Sequence, residues 1–160
     1  MKIMILYTIA FLSLVFSHCQ IPCGIFDDIH RVLEIDEHIK TIDKSINFIN
    51  SLSEKLEKEP REMNQIVRWI NTKEDHSIKI QNLISDYFLA QRIKPKDIKS
   101  NEYDKYIKLV TACHKIIYFS MKLKQNVDTN MIKELKNNLN ILVEHYFNGE
   151  QKKYLRESRK

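Results

Sequence analysis

The chain has only two Gly and three Pro in 160 residues, and this scarcity of turn formers limits what it can fold into. A β-sandwich or a Gly-rich nucleotide-binding fold needs many more turn positions, so the composition favours helices joined by few links. The five residues also fall where helices would end. Pro22 and Gly24 lie in a short N-terminal run, Pro60 between a first and a second apolar tract, Pro95 between the second and third, and Gly149 after the fourth. With 43% hydrophobic and 29% charged residues, the length suits one globular domain with a sizeable core and excludes disorder or a several-domain assembly. The formal charge of +5 is interspersed with 21 acidic residues, which leaves no nucleic-acid footprint.

Apolar residues recur at helical spacing in four tracts. The first runs through Ile29, Val32 or Leu33, Ile39, Ile42, Ile46, Ile49, Leu52 and Leu56. The second, opened by Pro60 in its first turn, carries Met63, Ile66, Val67, Ile70, Ile80, Leu83, Ile84, Tyr87 and Phe88. The third, capped by Ser100 or Asn101 with Glu102 in its first turn, carries Tyr106, Ile107, Val110, Ile117 and Met121. The fourth, capped by Asp128 or Thr129, carries Ile132, Leu135, Leu139, Leu142 and Tyr146 and is stopped by Gly149. The predicted fold class is all-α: an antiparallel up-down four-helix bundle over residues 27–149, the cheapest way to bury four stripes. Residues 150–160 are expected to form a solvated, frayed basic tail.

Residues 1–17 suit a secretory leader. Lys2 precedes an apolar run, Ile3 to Phe16, of about 14 residues, short of the roughly 20 that span a bilayer. Val15 and Ser17 meet the small-residue rule for a cut that makes His18 the new N-terminus. The expected location is secreted or periplasmic, with no membrane contact after the leader is removed. The mature chain then keeps three cysteines, an odd number for an exported protein. Cys113, on the third tract, reads as a small buried hydrophobe.

The chemistry is concentrated in residues 18–26, HCQIPCGIF. A free His18 amine, the Cys19 amide nitrogen and the Cys19 thiolate can hold one metal through two consecutive five-membered chelate rings. The Pro22–Cys23–Gly24 turn returns a second thiolate to the fourth corner, and Gly24 permits the close backbone approach. The His18 imidazole can reach an axial position. This planar set of two nitrogens and two sulfurs suits Ni(II) or Cu(II), whereas Zn(II) prefers a tetrahedron. Two other readings stay open: a secreted helical interaction protein whose Cys19–Cys23 pair is a disulfide, and a copper-binding carrier using the same donors.

On these residues the chain resembles the nickel superoxide dismutases, whose mature chains open with a hook of pattern HCxxPCGxY. His18, Cys19, Pro22, Cys23 and Gly24 match, and Phe26 supplies the aromatic position. Leu33–Glu34, Arg68–Trp69 with Lys73–Glu74, and Ser85–Asp86–Tyr87–Phe88 resemble later segments of the family. The resemblance implies a homohexamer with one nickel per subunit that converts superoxide to oxygen and hydrogen peroxide by Ni(II)/Ni(III) cycling. It implies His18, Cys19 and Cys23 as metal ligands and catalytic residues, Glu34 as the carboxylate orienting the axial imidazole, and Tyr87 as a catalytic tyrosine near the site entrance. The chain departs from the pattern in three places. Phe26 lacks the hook tyrosine's hydroxyl, Gln20 replaces an acidic residue, and His76 aligns with an arginine that supports the axial imidazole. Outside the resemblance, His30, Glu34 and His38 read as a solvated polar stripe, and His114 and His145 as surface or interhelix groups.

Overall fold

The structure is a computed structural model describing residues 26–55 and 57–159. Its first helix, α1, spans Asp28–Ser53, and α2 spans Pro60–Asn82. The second runs straight on as a π-helical segment, Leu83–Arg92. Helices α3 (Tyr103–Gln125), α4 (Thr129–Tyr146) and α5 (Gly149–Ser158) complete the described chain. Helix starts are fixed by local chemistry. The Asp27 carboxylate accepts from the His30 amide at 2.9 Å, and Asp128 from the Asn130 amide at 2.8 Å. Glu59 and Glu62 form a reciprocal capping box around Pro60.

Side-chain pairs set the topology. Between α1 and α2, Asp28 meets Arg92, His38 meets His76 and Phe48 stacks on Trp69, so partner numbers fall as α1 advances. Gln81 bonds the Ile117 carbonyl while Lys73 reaches the carbonyls of Leu123 and Lys124, which sets α2 against α3 in the same opposed sense. Asp28 with Tyr146 and Asp43 with Lys136 do so for α1 and α4. The result is an antiparallel up-down four-helix bundle. Its axis is filled by Ile35, Ile39, Ile42 and Ile46 of α1, Ile80 and Ile84 of α2, Ile116 and Leu123 of α3, and Leu135, Leu139 and Leu142 of α4. Cys113 is fully buried among them, and burial pushes its thiol up to about 12.

Five expectations need correcting. Residues 150–160 do not begin a frayed tail. Asn148 and Gln151 form a capping box that starts α5 at Gly149, Leu155 is completely buried, and the Arg159 guanidinium bonds Asp36 at 3.1 Å and Asn140 at 2.9 Å. Gly149 therefore opens a helix, while α4 ends earlier, at Tyr146. The third helix starts at Tyr103, because Ser100 and Asn101 lie in a preceding turn where the Ser100 hydroxyl accepts from the Glu102 amide. Its buried apolar positions are Leu109, Ala112, Cys113, Ile116 and Leu123; Tyr106, Val110 and Ile117 of the expected stripe pack partly buried at the edge of the core, and Ile107 is exposed. Met63 and Val67 are also exposed, since α3 ends level with Lys73 and leaves the first turns of α2 only α1 to pack against. Leu56 lies outside the described residues.

Candidate metal centre

At the N-terminal end of α1 the apolar core gives way to a polar knot around one carboxylate. Asp28 Oδ1 accepts from the Tyr87 hydroxyl at 2.7 Å and from Arg92 Nε at 2.8 Å. Its Oδ2 accepts from Arg92 Nη2 at 2.7 Å and from the Tyr146 hydroxyl at 2.9 Å. Burial alone would raise the Asp28 pKa, but the hydrogen bonds from Arg92, Tyr87 and Tyr146 and the guanidinium charge outweigh it, so the carboxyl sits below its ordinary range. Burial and the Asp28 hydrogen bond push both phenols upward, Tyr146 to about 12. They remain protonated donors.

The π-helical segment explains how Tyr87 and Arg92 converge. Residues five apart on an α-helix stand about 140° apart around the axis. In a π-helix the i→i+5 bonding widens the turn and brings such residues much closer to one face. The Ile93 amide donates to the Phe88 carbonyl at 2.8 Å, an i→i−5 bond that closes this segment. Tyr87 and Arg92 thereby address the same carboxylate from consecutive turns, and Pro95 keeps the helix from continuing.

Phe26, the last residue of the sequence-predicted hook, lies against this knot. Its ring meets Tyr87 edge-on at 5.8 Å, and the Arg92 guanidinium lies 4.4 Å from its centre. Arg31 covers Tyr87 from another side at 5.6 Å and donates to Glu34 Oε2 at 2.6 Å. Glu34 lines a shallow groove of about 240 Å³ with Lys79, Asn82, Leu83 and Asp86. Arg31 Nε is buried with no hydrogen-bond partner among the described residues.

Of the residues singled out from sequence, the structure brings Phe26 and Tyr87 together and places Glu34 one contact away, through Arg31. His18, Cys19 and Cys23 lie outside the described residues. The stripe of His30, Glu34 and His38 does not act as one solvated face. Instead, His38 Nδ1 and His76 Nδ1 lie 3.0 Å apart, joining α1 to α2, and His38 Nε2 is buried without a partner. Among the described residues, no group of three or more His, Cys, Asp and Glu could hold a metal ion. Asp28 and Arg92 were not singled out from sequence, and Tyr146 only as a member of the fourth apolar stripe. Asp28 reads as an ordinary first-turn acid and Arg92 as a residue in a link, and their only signal was proximity to the hook and to Pro95.

The family model for nickel-containing superoxide dismutase matches residues 13–151, which includes the hook and nearly all of the bundle. The chain belongs to the nickel-containing superoxide dismutase family. It is thus an oxidoreductase of the nickel superoxide dismutase type, and no curated protein or solved structure matches it. The residues of this superoxide dismutase fit the metal on chemical grounds. The Cys19 and Cys23 thiols, with the amine and adjacent amide that a chain beginning at His18 would offer, would make the strong-field planar set that nickel favours over zinc. Close to the Phe26 end of the bundle, α1 supplies a carboxylate with one oxygen free of partners among the described residues, Glu34 Oε1, and the buried donor Arg31 Nε.

Proposed function

We propose that this superoxide dismutase is exported, loses residues 1–17 and holds one nickel per subunit through His18, Cys19 and Cys23, in a homohexamer. The single observation that carries the reading is the family match across residues 13–151, which spans the donor set HCQIPCG at the point where the leader would be cut. When bound there, nickel supplies a one-electron couple between its divalent and trivalent states, which superoxide can reduce on leaving as oxygen and reoxidise on leaving as peroxide.

The protein's own residues do the rest. The amine of His18 becomes a donor only once Ser17 is removed. Cys19 and Cys23 act as thiolates, and metal ligation protects them from the oxidation that superoxide and peroxide would otherwise cause. Glu34 Oε1 can accept from the His18 imidazole and so orient it. Tyr87 contributes position and not a proton, because its hydroxyl is committed to Asp28 and burial raises its pKa. Phe26 narrows the approach with an apolar ring where the family pattern has a phenol. No described helix is long and apolar enough to cross a membrane.

The test is nickel loading of protein with a verified His18 terminus. The expected result is superoxide-removing activity together with an electron paramagnetic resonance signal from low-spin Ni(III). Absence of both in nickel-loaded material rejects the assignment.

A further inference from the structure

Arg92 is used twice at the end of the bundle. The edge of its guanidinium makes two hydrogen bonds to the two oxygens of Asp28, which fixes the plane of the group. Its face lies on the Phe26 ring. Tyr87 and Tyr146 take further lone pairs of Asp28, so the carboxylate is held from the π-helical segment and from α4 at once. Phe26 itself is 38% exposed and a poor anchor by burial alone. Among the described residues, its ring partners are the edge of Tyr87 and the Arg92 guanidinium. Only Asp27 separates Phe26 from Asp28, so both ends of this short link are gripped by one arginine. Hydrophobic residues of similar volume would stabilise the end of a bundle at least as well as these partly buried charges. That argues for a positional purpose.

We propose that Asp28 and Arg92 are positioning residues that clamp Phe26 and thereby fix the root of the metal-binding segment. The proposal rests on the reading of residues 18–26 as the nickel-holding segment. Arg and Phe form a cation–π pair whose strength depends on the planar group, so Lys is a poor substitute.

The test uses the chain beginning at His18, as wild type and as Arg92→Gln, Arg92→Lys, Phe26→Leu and the Phe26→Leu/Arg92→Gln double variant. Two readouts are taken on protein whose helical circular dichroism matches wild type. One is the rate at which thermolysin removes residues up to Phe26 from metal-free protein, followed by mass. The other is nickel retained against a competing chelator. Arg92→Gln is expected to speed cleavage about tenfold and to weaken nickel retention by a similar factor. Arg92→Lys should recover only part of the loss, and the double variant should be no worse than the worse single one. Equal cleavage rates in wild type and Arg92→Gln, or fully additive effects in the double variant, overturn the clamp. Should Arg92→Gln not fold, the cycle with Arg92→Lys and Phe26→Leu decides in the same way. A wild-type protein that follows the cleavage pattern yet takes up no nickel contradicts the metal assignment and leaves the clamp standing.

Discussion

The histidine pair between α1 and α2 makes a residue-scale prediction about acid. Burial holds both imidazoles below their ordinary value of 6.5, with the charge of His76 adding to the effect on His38 and that of Lys79 to the effect on His76. Glu34 and Glu37 beside His38, and Asp75 beside His76, pull the other way and are outweighed. The unfolded chain therefore binds protons near pH 6.5 that the folded chain refuses. Stability is fully present above that pH and falls as pH drops through it. A His38→Gln/His76→Gln double variant should lose distinctly less of its thermal midpoint than wild type between pH 7.5 and 5.5. Parallel midpoint curves would show that the pair does not titrate as described. A second prediction concerns the thiols. Cys113, buried and raised to about 12, should stay unlabelled by a thiol reagent in folded, metal-free protein and react only on unfolding. Cys19 and Cys23 should label in the native state, and a native count of zero would indicate that they are joined as a disulfide.

Among the elements, α5 carries the sharpest test of the fold. Leu155 is fully buried, and Arg159 ties the end of α5 to Asp36 on α1 and Asn140 on α4. Leu155→Ala is expected to destabilise the bundle by about 2–4 kcal/mol in chemical denaturation, whereas a solvated tail would lose nothing. Lys73 makes a parallel case. Its buried ammonium bonds the carbonyls of Leu123, and of Lys124 at 2.9 Å, at the end of α3. Replacing it by Met should cost about 1–3 kcal/mol by leaving those acceptors without a donor. Four helices, the Pro60 and Asp128 starts, the buried Cys113 and the α4 stripe were all legible in sequence, because each rests on local spacing or a single capping residue. Three other features were not. A ten-residue segment with one dominant Leu looks polar until the tertiary structure offers Leu155 a socket. The centre of the α3 face was missed because Ile107 outranks Ala112 and Cys113 in hydrophobicity but not in position. The π-helical phase change, which aims Arg92 at Asp28, depends on i→i+5 bonds that no residue pattern announces.

For the whole molecule, the bundle and the hook divide the work. On the proposed reading, the bundle offers an end with an aromatic held by Arg92, a carboxylate on α1 and a buried arginine donor, while the metal-binding set lies in the short segment preceding Phe26. The hook motif could be read from sequence because its proposed donors, His18, Cys19 and Cys23, lie within one short run. The Asp28 knot was not, since its members are up to 118 residues apart. What binds the two parts is the requirement that His18 be the first residue. The most direct test compares nickel content and superoxide removal in two otherwise identical chains, one beginning at His18 and one at Ser17. The chain beginning at His18 should carry nickel and remove superoxide, while the longer one, with its amine moved one residue away, should do neither and keep the same helical spectrum. Equal nickel and equal activity in both chains would contradict the account.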